Sequence, residues 1–232
     1  QAIRHAEGKW VLALNPDVLL TRRFVSCLMN AAAQDPAVGT VCGKLLRALP
    51  DLEIPPKPEM DSAGMYFTPT LRHFDRGMHQ PDAPQYNLPA YVFGATGAAA
   101  FYRREMIEDI SIDGEFFDED FFFSREDADL SWRAQLLGWR CLYTPWAVGY
   151  HVRRVFPGVR RLLPETINRH SVKNRFLMRI KNATPGICLR NFIPTTVRDL
   201  GIFLYCLVRE QSSLEGFAYV LRNWSRTIAK RR

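Results

Sequence analysis

Trp10 to Leu14 (WVLAL) form an unbroken apolar run that stops at Asn15-Pro16-Asp17, the pattern of a buried strand in a parallel sheet. A helical spacing from about Arg22 to Ala33 follows, and then a second strand-like run, VGTVCG. This alternation predicts an α/β fold. Residues 50 to 90 are rich in proline on both sides of SAGMYFTPT, which predicts loops around a strand or hairpin. After FGATGAAAFY come a helix near Arg103 to Asp109, an acidic stretch, and a strand from Arg140 to Tyr143; Gly149, Tyr150 and His151 close the α/β part. From about Pro164 onward the spacing is helical, in two or three segments broken at Pro185 and Pro194. Leu200 and Ile202 to Val208 are apolar, but the run is far shorter than the ~20 residues a spanning helix needs.

A chain of 232 residues that is 47% hydrophobic can bury a sizeable core as one or two domains. Its five cysteines are scattered without a CxxC pair, which argues against a zinc knuckle or a disulfide framework and fits a reducing cytoplasm. Charge divides unevenly. Residues 1–151 hold 14 Lys/Arg against 20 Asp/Glu, a balance of −6, whereas residues 152–232 hold 17 against 4, a balance of +13. A basic, aromatic-bearing tail implies an anionic partner. The candidates are nucleic acid and the anionic face of a membrane, and the acidic first half is a poor nucleic-acid surface. Phe217, Tyr219, Leu221 and Trp224 alternate with Arg222, Arg226 and Lys230 ahead of Arg231 and Arg232, a composition found in helices that lie on anionic lipid. The alternative is that these helices pack against the rest of the chain or a second subunit.

Candidate chemistry lies in three places. Asp17, just past a strand end, sits where α/β sheets bind ligands and can hold a divalent cation if the ligand brings diphosphate oxygens; Asn15-Pro16-Asp17 is equally a turn. Gly114 to Arg140 crowds carboxylates among five phenylalanines, as in a cleft. Within it, Ser124 and Asp127 resemble a capping box, and Leu130, Ala134 and Leu137 form the apolar stripe of a helix. At the helical period Glu126 and Asp127 lie roughly 50° from that stripe and Asp129 roughly 110° away, so Asp129 is expected to pair outward with Arg133. Glu126 and Asp127 then face a cleft, ionised at a helix N-terminus and suited to act as a base, or they simply cap the helix. His151, after a strand, is either structural or a neutral third ligand to the same metal. Gly94 and Gly97, within Tyr91 to Gly97, allow close backbone approach beneath a sugar, or serve an ordinary turn.

Taken in order, NPDV, FGATGAAAFYRREMIEDI, GEFFDEDFF, EDADLSWRAQLLGWR, YHVRR and HSVKNRFLMRIKN resemble the rhamnosyltransferase-type members of glycosyltransferase family 2. The resemblance covers nearly the whole chain. It implies a GT-A fold: α/β, a Rossmann-like, mostly parallel sheet flanked by helices, partial at its N-terminus and followed by C-terminal helices. In that family a strand-end DxD motif binds the metal and the sugar nucleotide; here it falls on Asn15 and Asp17, and Asn15 replaces the first acid. The family's ED pair supplies the catalytic base, which falls on Glu126 and Asp127, and a histidine that completes the metal site falls on His151. The implied cofactor is Mg2+ or Mn2+. The implied partners are a nucleotide-sugar donor such as dTDP-rhamnose and a glycan or lipid-linked acceptor, with no nucleic acid.

Family members carry a nucleotide-binding half, on the order of 80 to 100 residues, ahead of the NPD strand. Nothing in this sequence corresponds to it, so activity is expected to need the longer protein. Residues 1–151 are then the C-terminal portion of a catalytic domain and residues 152–232 a basic helical region, peripheral at the inner face of the cell membrane or an oligomer surface. The residues also leave a second reading open, a non-catalytic module whose basic helices bind an anionic partner.

Overall fold

The computed structural model describes residues 2–153 and 163–231. Arg154, Arg160, Arg161 and Arg232, which contribute to the basic balance, lie outside the described residues. In chain order the first elements are α1 (Ala2–His5), β1 (Trp10–Leu14), β2 (Val18–Leu20), α2 (Phe24–Ala32), β3 (Val38–Arg47) and β4 (Met60–Ser62). There follow β5 (Met65–Phe67), β6 (His73–Asp75), β7 (Ala90–Val92), β8 (Ala99–Arg103), α3 (Arg104–Ile110), α4 (Glu126–Leu136) and β9 (Arg140–His151). The remainder is helical: α5 (Glu165–Asn182), α6 (Pro185–Arg190), α7 (Phe192–Arg209), α8 (Leu214–Arg222) and α9 (Trp224–Ala229).

The α/β reading holds, with a central sheet flanked by helices. Its path is β1-β8-β3-β9-β2, with β4 added to β3 and β7 added to β9, while β5 and β6 pair separately. The sheet is mixed where a mostly parallel one was expected. Among the described strands the parallel pair is β3 with β9, and β1, β2, β4, β7 and β8 all join antiparallel. WVLAL is therefore not a buried parallel strand; it pairs antiparallel with β8 alone and is only half-buried. Strand β3, between β8 and β9, is buried from Val38 through Leu46. It carries the core with Phe24, Leu28, Phe101 and Leu142. An unbroken apolar run thus marked hydrophobic content and could not distinguish strand direction.

The chain divides into two compact units. One comprises Gln1–Tyr66, Phe74–Phe116 and Leu130–Arg154 and holds the sheet. The other comprises Phe67–His73, Phe117–Asp129 and Val155–Arg232, so that most of the acidic stretch belongs with the C-terminal helices. Pro185 opens α6 behind Thr184, whose side chain accepts from Ile187 N. Pro194 breaks nothing: it sits in the first turn of α7, where an amide hydrogen has no helical partner to lose.

Candidate functional site

In the sheet unit, strand pairing sets three side chains in a row. β2 and β9 place Val18 opposite His151, and Val152 N donates to the Asp17 carbonyl at 3.0 Å. On the other side of β9, β3 sets Arg47 opposite His151 and Leu46 opposite Met60 of β4, the neighbour of Asp61. His151 is therefore held between two aspartates. Its Nδ1 lies 2.7 Å from Asp61 Oδ2 and its Nε2 3.5 Å from Asp17 Oδ1. Asp61 is fully buried, and it is also gripped by Arg153 through Nε at 2.7 Å and Nη2 at 3.2 Å. Burial alone raises the Asp61 carboxyl, but the hydrogen bond from His151 and the Arg153 charge outweigh it and hold the group below its ordinary value.

In the tautomer that carries its proton on Nδ1, that N–H donates to Asp61 and the Nε2 lone pair turns toward Asp17. Cis ligands of an octahedral Mg2+ lie about 3 Å apart, close to the 3.5 Å separation seen here. The carboxylate suits Mg2+ or Mn2+, and the imidazole favours Mn2+ over the harder Mg2+, so the residues present fit such an ion. They do not complete its shell, since among the described residues no three His, Cys, Asp or Glu side chains converge on a metal position. The remaining ligands must come from elsewhere. Asn15 is exposed at the end of β1, where its backbone N–H donates to Ala98 O at 2.9 Å and so ties the NPD turn to the loop carrying Gly94 and Gly97. A Cβ on Gly94 would lie 2.1 Å from Ser131 Oγ, so close packing requires that glycine. Gly97 lies in the turn leading into β8.

The acidic segment contains two kinds of carboxylate. Asp118 and Asp129 are buried and share Lys181 Nζ at 2.6 and 2.9 Å, and Asn182 Nδ2 donates to Asp129 at 2.7 Å. Lys230 bridges Asp118 and Asp120 at 2.6 and 2.8 Å, Arg226 meets Asp120 at 2.9 Å, and the Tyr219 hydroxyl also donates to Asp120. Burial would raise the Asp118 carboxyl; Lys181 and Lys230 overcome that and set it at about 2. Asp129 thus points inward instead of outward, and so does Arg133, which donates to the carbonyls of Ile110 and Phe116. The stripe is also wider than Leu130 and Ala134, because Ala128, Ser131 and Trp132 are buried too, whereas Leu137 is exposed and lies past the helix end.

Glu126 and Asp127 have a different environment. Both are half-buried in the first turn of α4. Burial and the neighbouring Asp127 charge push the Glu126 carboxyl up to about 7, and its buried Oε2 has no hydrogen-bond partner. Asp127 Oδ1 accepts from Ala128 N at 2.8 Å. Arg125, not Ser124, takes the N-cap position, since its carbonyl accepts from Asp129 N at 2.9 Å. The anticipated capping box is displaced because the chain enters α4 through left-handed residues, Phe122, Ser124 and Arg125, at φ 56°, 69° and 73°. Such conformations cost energy for residues with a Cβ and persist where surroundings enforce them. The enforcing group is Asn174 of α5, fully buried, whose Nδ2 donates to the carbonyls of Phe121, Phe123 and Ser124 at 2.8, 2.7 and 2.8 Å. Asp61, Arg153, Asn174 and Lys181 were not identified from sequence, and Lys230, expected to face lipid, instead bridges Asp118 and Asp120. The opposed balances of the two halves were the available signal for the lysines.

A model of the family described as "Glycosyl transferase family group 2" matches residues 10–168. The chain belongs to that family. Among solved structures it is similar to GalNAc-T7 with UDP, GalNAc and Mn2+, at 13% identity and a TM-score of 0.52, over 74% of this chain and 33% of that one. It is also similar to the mannosyltransferase PcManGT from Pyrobaculum calidifontis in complex with GDP-Man and Mn2+, at 14% identity and a TM-score of 0.45, over 95% of this chain and 52% of that one. The chain thus spans a third to a half of the length of these two proteins. At such identities the likeness to GalNAc-T7 speaks to the GT-A fold alone. No curated protein matched the chain.

Proposed function

We propose that the protein transfers a hexosyl group from a nucleoside-diphosphate sugar to a glycan or lipid-linked acceptor, with inversion and with the help of Mn2+ or Mg2+. The observation that carries this is His151, fixed by buried Asp61 so that Nε2 faces Asp17. Support comes from family membership; GalNAc-T7, described with UDP and Mn2+, shares the fold. A divalent ion at Asp17 and His151 would supply positive charge to the departing diphosphate. Asn15, Gly94 and Gly97 border the donor sugar in this reading. Asp127 removes the proton from the acceptor hydroxyl as it attacks the anomeric carbon, so that one bond forms as the other breaks and no enzyme nucleophile is needed. Glu126, near neutrality at about 7, is the alternative base and sets the field in which Asp127 works.

In this proposal residues 1–151 belong to the catalytic domain, and residues 152–232 form its basic helical region at an anionic membrane surface on the cytoplasmic side. The first donor to test is dTDP-rhamnose. The competing idea, a non-catalytic module working through its basic tail, is weakened because Lys181, Lys230 and Arg226 meet carboxylates of this same chain. The test is nucleoside diphosphate release by the full-length protein across a panel of nucleotide sugars. Turnover of one donor that is lost in Asp17→Ala supports the proposal, whereas no turnover of any donor, with or without Mn2+, contradicts it.

A further inference from the structure

Helices α5 and α7 bring guanidiniums together with too few acids to balance them. Arg175 and Arg179 lie one turn apart on α5, Arg198 and Asp199 are neighbours on α7, and all four belong to the second unit. Asp199 accepts a hydrogen bond from Arg179 Nη2 at 2.6 Å and meets Arg175 Nη2 at 2.9 Å. The contact with Arg175 lacks hydrogen-bond alignment, since Arg175 Nε and Nη2 and Asp199 Oδ1 are all buried without a hydrogen-bond partner. Arg198 donates to a neutral group, the Thr70 hydroxyl, at 3.1 Å. Three guanidiniums thus share one carboxylate, an excess of two positive charges.

Burial magnifies the imbalance. Arg175 is only 3% exposed, and burial together with the Arg198 charge brings its guanidinium down to about 9. Arg198 is half-buried, and burial together with the Arg72 charge brings it down to about 10. Arg125, just ahead of α4, adds like charge to Arg175. Taking charge of one sign out of water is costly unless a counter-charge arrives, and such an imbalance is characteristic of a site whose ligand supplies it.

The excess specifies the ligand. Guanidiniums pair with carboxylate or phosphate oxygens, but a single carboxylate would leave one of the two charges unmet, whereas a phosphate monoester or a diphosphate carries about two. Arg125 is also two residues ahead of Asp127, so the cluster borders the segment assigned to the acceptor hydroxyl. We propose that Arg175 and Arg198 form a phosphate-binding site that recognises an acceptor bearing a phosphate or diphosphate group. This rests on the transferase reading above and narrows its acceptor. Arg198, the half-exposed member, meets the phosphate oxygens, and Arg175 adds its charge from the interior.

The first test is thermal melting of the full-length protein in EDTA, with inorganic pyrophosphate or with sodium chloride at equal ionic strength. Pyrophosphate is expected to raise Tm where chloride does not, and to do so equally in Asp17→Ala. Arg198→Gln should melt no lower than the unaltered protein without ligand, because it relieves like-charge repulsion, and should lose the pyrophosphate shift. A merely structural Arg198 predicts a lower Tm with the shift retained. That result overturns the proposal, as does the absence of any shift in the unaltered protein or its loss in Asp17→Ala. The second test offers one acceptor sugar as free glycan and on a short alkyl diphosphate. The unaltered protein should prefer the diphosphate form at least tenfold in kcat/KM, and Arg198→Gln should lose that preference. An undiminished preference, or a raised donor KM in its place, overturns the assignment to the acceptor. Because the melts need no turnover, they separate failure of this site from failure of the transferase reading.

Discussion

Within one acidic stretch, Asp118, Asp120 and Asp129 meet lysines and an arginine, while Glu126, a few residues away, keeps a buried oxygen without a partner. The same residue types, equally crowded, therefore do opposite things. Where a cation reaches the carboxylate, burial is compensated and the group stays ionised, as with Asp118 at about 2. Without one, burial and a like charge push Glu126 up to about 7, the range in which a carboxylate exchanges protons at physiological pH. Density of acid marks a region; the answering cations decide which members are structural.

That contrast can be broken from its structural side, where the effect should be largest. Lys181→Met leaves Asp118 and Asp129 buried together without their shared cation and should cost about 3–5 kcal/mol, read by urea denaturation; a loss within ~0.5 kcal/mol would mean that the network is incidental. From the catalytic side, Asp127→Asn in the full-length enzyme should lower turnover by at least ~100-fold, about 2.7 kcal/mol in the barrier, with stability little changed. If turnover survives and Glu126→Gln abolishes it, the base is Glu126.

The two groups should also respond oppositely to pH. A carboxyl raised in the folded state contributes stability that is complete below its unfolded value, near 4.5, and lost as pH rises through about 7. Glu126→Gln should therefore stabilise the protein at pH 8, by on the order of 1 kcal/mol after discounting for partial exposure, and do nothing at pH 4. Asp118 is depressed, so its contribution is present above its ordinary 3.8 and disappears as pH falls toward about 2. Thermal melts of Glu126→Gln and Asp118→Asn between pH 2 and 8 should diverge in those two windows; parallel curves would erase the distinction.

The sequence made the α/β class legible, since strand and helix periods alternate from Trp10 to His151. Asp17 and His151 were readable as strand-end residues. Asp61 was not, because it sits in a proline-rich stretch whose short strand β4 gains meaning only by pairing with β3. The inward turn of Asp129 and Arg133 was hidden for a related reason: α4 is buried on most sides, so the period that tells an apolar face from a polar one has little to report. Strand direction at WVLAL failed because apolar content measures burial and says nothing of hydrogen-bond sense. The helical tail was legible as helix and basic, but not that its lysines face the chain's own acids.

In the proposed function Asp17 and His151 are the place where a divalent ion and a diphosphate meet. Calorimetric titration of the full-length protein, using the donor that the nucleotide-sugar panel identifies, tests this in Mn2+ and again in EDTA. Binding that requires Mn2+, disappears in Asp17→Ala and weakens in His151→Ala is the predicted result. Full donor affinity in EDTA, or in Asp17→Ala, would contradict it.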